Sequence, residues 1–256
     1  MARRVAVVAY GVVAYLGFVA VFAYTIGFLA NVGVPKGIDD GPAGPAWAAV
    51  LVDAVLLGLF AGQHSVMARP WFKRWWTARL VAPSVERSTY VLASNLVVGL
   101  LLVAWRPLPA TVWHASGGGV RALWWALYLA GWGVTLLSTL QIGHFDLFGL
   151  RQVMARARQR AYAEPGFATP GLYRLVRHPL MAGFLIAFWA TPDMSVGRLL
   201  FALSASGYIL VAVRFEEHDL RRQLGEAYRR YSERVPRFVP RARERAPERA
   251  QAGERR

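Results

Sequence analysis

Five apolar runs, nearly free of charge, decide what this chain can fold into: 5–30, 45–67, 88–105, 121–142 and 180–213. A helix that crosses a bilayer needs roughly 20 predominantly apolar residues, and each of the first four runs is close to that length. The first is too long for a signal-peptide core and is followed by no clear small-residue cleavage site, so it reads as a retained span. The fifth is broken by Thr191-Pro192-Asp193. At about 1.5 Å per residue it crosses twice only as a tight hairpin of short or partly buried helices. A single bent span is the weaker alternative, because the proline and its polar neighbours mark a turn. The expected fold class is therefore all-α, a polytopic membrane bundle of about six spans ending in a helical hairpin.

Charge tests that topology. With the N-terminus in the cytoplasm, segments 1–4, 68–87, 143–179 and 214–256 face the same side and hold 26 of the 30 Lys and Arg residues. The loops on the other side hold only Lys36, Arg106, Arg121 and Arg198. Excess Lys and Arg in short loops sets orientation, so both termini are expected in the cytoplasm. The net charge of +15 does not point to nucleic acid. The positive residues flank span ends, where anionic headgroups attract them, and no nucleic-acid reading motif is present. The chain has no cysteine, which excludes disulfides, thiolate metal sites and cysteine nucleophiles. Any thiol chemistry must take place on a substrate, and no metal set is expected. Small residues such as Gly131 and Gly133 permit close helix approach. Trp71, Trp75, Trp76, Trp113, Trp124 and Trp125 read as interfacial anchors. One membrane domain over 1–240 is expected, with a cap built from 143–179 and 214–240. The charged tail 241–256, poor in large apolar side chains, is expected to be disordered.

The most specific pattern is LYRLVRHPLMAGF (172–184), followed by RFEEHDLRRQLGEAYRRYSERVPRFVP (214–240). Its order is T-x-G-x-Y, R-H-P, G, E-E, L, G-x-x-Y-x-x-Y and V-P-R over 169–240. This resembles the C-terminal half of the isoprenylcysteine carboxyl methyltransferase superfamily. GLFAGQHSVMARPWFKRWW (58–76) and GHFDLFGLRQ (143–152) further resemble its bacterial branch of NnrU-like proteins and methanethiol S-methyltransferases. The resemblance, covering most of 1–240, implies an enzyme that moves a methyl group from S-adenosylmethionine to methanethiol and releases dimethyl sulfide. It also implies a bacterial-type inner membrane as the location, with a small volatile thiol and the lipid bilayer as partners. One position departs from the pattern: Met181 stands where relatives often carry tyrosine, so no role for that hydroxyl is carried over. Two alternatives stay open: another membrane methyltransferase acting on an isoprenylcysteine carboxylate or a lipid, and a non-catalytic NnrU-like or haem-binding protein. Bis-histidine haem ligation needs two facing imidazoles, and His64 is the only histidine well inside a span.

The resemblance points to Tyr173, Arg177, His178, Pro179, Gly183, Glu216, Glu217, Tyr228 and Tyr231 as cofactor-binding. Carboxylates at 216 and 217 can neutralise the cationic parts of S-adenosylmethionine, and Arg177 or nearby amides can receive its carboxylate. Glu216, Leu220, Leu224 and Tyr228 recur at i+4, with Tyr231 three residues on, forming one stripe. The plainer reading is an interfacial helix whose acids pair with Arg221 or Arg222. As catalytic candidates the sequence offers His64, His144 and Asp146. His64 lies about 7 Å from the interface at helical rise and can accept a thiol proton, or else merely hydrogen-bond between helices. Asp146 can orient an imidazole. Asp53, mid-span, is expected to be protonated or bonded to Asn95, and to serve packing.

Overall fold

The computed structural model describes residues 1–42 and 44–240; the tail 241–256 expected to be disordered lies outside the described residues, as does Ala43. Long helices dominate. They are α1 (Ala2–Ala30), α2 (Ala46–Ala68), the short α3 (Pro70–Arg79), α4 (Glu86–Ala104) and, after a strand β1 (Thr111–His114), α5 (Gly118–Gln141). Two short helices follow, α6 (His144–Leu147) and α7 (Leu150–Ala157), then α8 (Pro179–Trp189), strand β2 (Asp193–Ser195), α9 (Val196–Leu224) and α10 (Glu226–Arg234). Among the described residues, five helices are long and apolar enough to cross a membrane, and α8 is a shorter apolar helix. The chain is an integral membrane protein.

The hairpin at 180–213 is present, but its two arms are unequal. Proline starts α8 where a missing N–H costs nothing, and eleven residues carry it only about 16 Å. That is half a bilayer core, so α8 survives by packing against α5. Gly131 and Gly183 let the two backbones meet: a Cβ at Gly131 would lie 2.8 Å from the carbonyl oxygen of Gly183, and one at Gly183 would lie 2.5 Å from Thr135 Oγ1. The other arm, α9, runs 29 residues without a break, capped at its start by Ser195 accepting from the Arg198 amide at 3.1 Å. At about 43 Å it outruns the hydrocarbon. The sequence reading ended this arm at 213; instead the same helix carries Glu216 and Glu217 out of the bundle.

Both described ends of the chain lie at one end of the bundle, with α6, α7 and α10; this is the cap end. Tyr10 donates to Thr89 at 3.0 Å, joining the start of α1 to the start of α4. Gly149, at φ 86°, packs so tightly on α4 that a Cβ there would lie 2.6 Å from Ser88 Oγ. At the opposite end, β1 and β2 pair antiparallel with His114 facing Asp193 and Thr111 facing Ser195. This small sheet is an addition to the all-α expectation. It ties the loop after α4 to the hairpin turn, helped by Arg121, whose two Nη atoms donate to Asp193 at 2.9 and 2.8 Å. Asp53 is fully buried near this end and its Oδ1 accepts from the Arg106 amide at 2.8 Å. The expected bond to Asn95 is not formed, because Asn95 donates to the Ala14 carbonyl at 2.9 Å. Asp53 instead accepts from a backbone amide just past the end of α4, joining α2 to the loop that follows α4. Between the two ends Phe28, Trp105, Tyr128 and Trp132 build an aromatic core.

Candidate active site

At the cap end the His-Pro corner and the paired glutamates meet. Arg177 donates from Nε and Nη2 to Glu217 Oε1 at 2.9 and 2.7 Å. His178 Nε2 lies 3.2 Å from the same oxygen. Arg237 binds the other side of the carboxylate, 2.8 Å from Nη2 to Oε2, and Arg221 stands 3.5 Å away. A carboxylate offers about four lone-pair sites, so Glu217, 1% exposed, is saturated by protein cations. Arg177 is equally spent, because its Nη1 donates to the carbonyls of Ser232 and Val235. The chain after α10 is stitched onto the corner by its backbone: the amides of Arg177 and His178 donate to the carbonyls of Pro236 and Arg237 at 2.8 and 3.1 Å. Binding to Glu217 raises the pKa of Arg237 further above its already high value. The V-P-R element that closes the sequence pattern is thus the segment that docks on the corner, although Arg237 itself was not among the expected site residues.

Glu216 differs from its neighbour. Its side chain is half exposed and the nearest basic side chain, His178, has its Nδ1 3.6 Å away, beyond hydrogen-bond range. Tyr231 donates to the Tyr173 carbonyl at 2.7 Å, locking α10 to the turn before the corner. Tyr228 is buried, and among the described residues its hydroxyl has no partner. The two rings pack 5.9 Å apart beside Phe167. Burial pushes both phenols up to about 12, so they stay protonated donors at neutral pH. Pro179 starts α8, and Gly183 faces α5 in the close packing described above.

The three catalytic candidates fall into two separate clusters. His64 lies on α2 against α4 and α9. Its ring is flanked by Phe60 at 5.1 Å, Tyr90 at 5.0 Å and Tyr208 at 6.5 Å between centroids. Nδ1 lies 3.3 Å from Ser94 Oγ; among the described residues Nε2 has no hydrogen-bond partner. A clasp holds α2 to α9 just beyond: Ser65 donates to Tyr208 Oη at 3.2 Å, and Arg69 donates to Asp219 at 3.1 Å. His144 lies instead between α1 and α5, with both nitrogens occupied, Nε2 by Tyr15 Oη at 2.9 Å and Nδ1 by Thr139 Oγ1 at 2.8 Å. Phe145 and Phe148 close around it, and burial lowers its basicity. Asp146 orients no imidazole. Its carboxylate accepts from Arg151 at 2.7 Å and from Tyr162 at 2.9 Å, so it ties the α7 loop in place. Sequence reasoning missed Ser94, Tyr90 and Tyr208. A serine and a tyrosine four residues apart in one span were the available signal, since polar groups at membrane depth are rarely idle.

Residues 51–231 match the sequence pattern of the NnrU family, described as NnrU protein. The chain belongs to the NnrU family. Members that resemble it include a methanethiol S-methyltransferase of Mycobacterium tuberculosis, 51% identical over 238 residues, spanning 93% of this chain and 97% of that protein. A methanethiol S-methyltransferase of Pseudomonas sp. is also 51% identical, over 90% of this chain and 88% of that protein. Nurim of Bos taurus is more distant, 31% identical over 66% of this chain and 67% of its own. No solved structure matches. For an NnrU-family chain, the matched residues include both histidine clusters and the paired glutamates, but stop short of Arg237.

Proposed function

We propose that this protein is a membrane methyltransferase that methylates methanethiol to dimethyl sulfide, with S-adenosylmethionine as methyl donor. The observation that carries the substrate is the near-complete overlap, at 51% identity, with relatives named for that activity. The donor rests on the cap. A cationic, polar group fits there because, among the described residues, the Glu216 carboxylate has no hydrogen-bonded partner and the buried Tyr228 hydroxyl has none either. Glu216 would hold a positive centre, with Tyr228, Tyr173, Tyr231 and the His178-Pro179 corner forming the walls. Arg177, Glu217 and Gly183 support those walls, since their own groups are already engaged. When bound, the donor supplies a methyl group on a positively charged sulfur.

The chain's own contribution is to a proton and to shape. The thiolate of a small thiol is the nucleophile, and an imidazole within reach accepts its proton. His64 Nε2 is the open base at this end of the bundle, walled by Phe60, Tyr90 and Tyr208. Glu216 lies eight residues beyond Tyr208 on α9, roughly 12 Å along the axis. Helix α9 thus carries both a ring that walls the base on α2 and the carboxylate that would face the donor. The rings around His64 suit a small apolar substrate that arrives from lipid. His144 and Asp146, expected as catalytic, are assigned to the framework. The Lys and Arg asymmetry supports a cytoplasmic cap end, with both termini on that side of a bacterial inner membrane. The test is headspace gas chromatography of membranes given methanethiol and S-adenosylmethionine. Dimethyl sulfide well above a boiled control is expected; none would redirect the search to isoprenylcysteine or lipid substrates.

A further inference from the structure

One polar pair beside His64 has no part in the steps above. Ser94 Oγ, on α4, lies 3.3 Å from His64 Nδ1 and 3.4 Å from Gln63 Oε1. The Gln63 amide nitrogen lies 3.4 Å from the same hydroxyl and 3.1 Å from the Met67 sulfur. The groups have fixed capacities. A hydroxyl has one proton and two lone pairs, a carboxamide nitrogen only donates, and a thioether only accepts. Met67 therefore takes one Gln63 N–H and fixes which way the carboxamide points.

Two hydrogen-bond patterns remain. If Ser94 donates to His64 Nδ1, Gln63 Oε1 is left without a donor, a costly state for a partly buried acceptor. If Ser94 donates to Gln63 Oε1, every group is satisfied: Nδ1–H donates to Ser94, and the second Gln63 N–H reaches the remaining lone pair. Only this pattern uses all the partners. It places the proton on Nδ1 and leaves the lone pair on Nε2, the tautomer a thiol base must have.

We infer that Ser94 and Gln63 are positioning residues, an uncharged relay that holds His64 in its Nδ1–H tautomer with Nε2 open to the substrate. The inference rests on the base assignment made above. The other ionisable groups facing the ring are Tyr90 from α4 and Tyr208 from α9, with Arg69 of α2 one turn further on and paired to Asp219 of α9. Among the described residues, no carboxylate touches the imidazole. A neutral relay orients the base without drawing a second proton onto it, so the ring is ready to accept one.

The test is steady-state kinetics in membranes with methanethiol as the varied substrate. Ser94→Ala should lower kcat/KM about tenfold, a fraction of the roughly 10²–10⁴-fold that general-base catalysis supplies. The KM for S-adenosylmethionine should not change, and Ser94→Thr, which keeps the hydroxyl, should restore most of the rate. Gln63→Glu puts a carboxylate behind the relay and favours the protonated ring, so the acid limb of the pH–rate profile should move to higher pH. If Ser94→Ala does not accumulate, Gln63→Glu carries the same test through that limb. Wild-type kcat/KM in Ser94→Ala, or an unmoved acid limb in Gln63→Glu, overturns the relay while His64→Gln remains inactive. Full turnover by His64→Gln overturns the base assignment itself.

Discussion

Polar groups at the cap end divide into two kinds, those whose partners are complete and those left open. Glu217 is surrounded by Arg177, Arg237, Arg221 and His178, and His144 has both nitrogens bonded. Among the described residues, His64 keeps one nitrogen free, Glu216 has no hydrogen-bonded partner, and the Tyr228 hydroxyl has none. Two adjacent glutamates and two histidines thus have opposite situations despite identical chemistry. A buried ionic group with every partner in place contributes to holding the fold, and removing one member strands the others. A polar group left open in an apolar setting, as the Tyr228 hydroxyl is, costs free energy unless something binds it, and the half-exposed Glu216 carboxylate keeps its charge available to a ligand. The comparison therefore sorts framework from site: saturated groups should govern stability and open groups turnover.

The largest effect falls on the saturated side. Glu217→Gln leaves Arg177 and Arg237 facing a neutral amide at the bottom of the cap. Breaking a buried pair in this way costs about 3–5 kcal/mol. Thermal unfolding of the detergent-solubilised protein should show a large drop in Tm, with loss of activity following from unfolding. A normal Tm with selective loss of methyl-donor binding would place Glu217 with the open groups instead.

Next comes His64→Gln. It should lower turnover by at least about a hundredfold, the lower bound for a general base, without changing Tm. The matching His144→Gln variant should do the reverse, retaining most turnover per folded molecule while losing stability. If the two variants exchanged these phenotypes, the division between open and saturated histidines would fail.

Much of this was legible in the sequence, for identifiable reasons. Five long spans followed from apolar length, because the bilayer sets that length independently of any partner, whereas the expected sixth, α8, is a shorter apolar helix. The meeting of Arg177-His178 with Glu216-Glu217 followed from a motif order spread over 169–240. What each side chain does once there was not legible. Glu217 and Glu216 are adjacent in sequence, yet a helix turns them about 100° apart, and only one then faces Arg177 and Arg237. Asp53 bonds to a backbone amide, and sequence patterns of side chains cannot identify such a partner. The β1–β2 pairing joins strands of four and three residues across the whole of α5 and α8, too short and too distant to leave a periodic signal.

A smaller effect is expected at Glu216. Glu216→Gln removes the half-exposed carboxylate beside the His178-Pro179 corner, so affinity for S-adenosylmethionine should fall about tenfold, the scale of one charge-assisted contact at roughly 1.4 kcal/mol. Titration calorimetry on the solubilised protein should show this at an unchanged Tm. Unaltered affinity would assign the donor's positive centre to another part of the chain.

The smallest effect is a pH dependence of stability carried by His144. Burial among Phe145, Phe148 and Phe18 holds its basicity below the ordinary histidine value near 6.5. Protonation is therefore easier in the unfolded chain than in the folded one. The sign follows by linkage: the folded state has its full stability from His144 above about pH 6.5 and loses part of it as pH falls below that value. Tyr15 and Thr139 sharpen the effect, because a neutral ring can accept from one hydroxyl and donate to the other, whereas the protonated ring can only donate. Melting curves at a series of pH values should show the wild-type Tm falling on the acid side more steeply than that of His144→Gln. Parallel curves would mean that His144 carries no proton-linked stability, and the saturated member of the histidine pair would be packing alone.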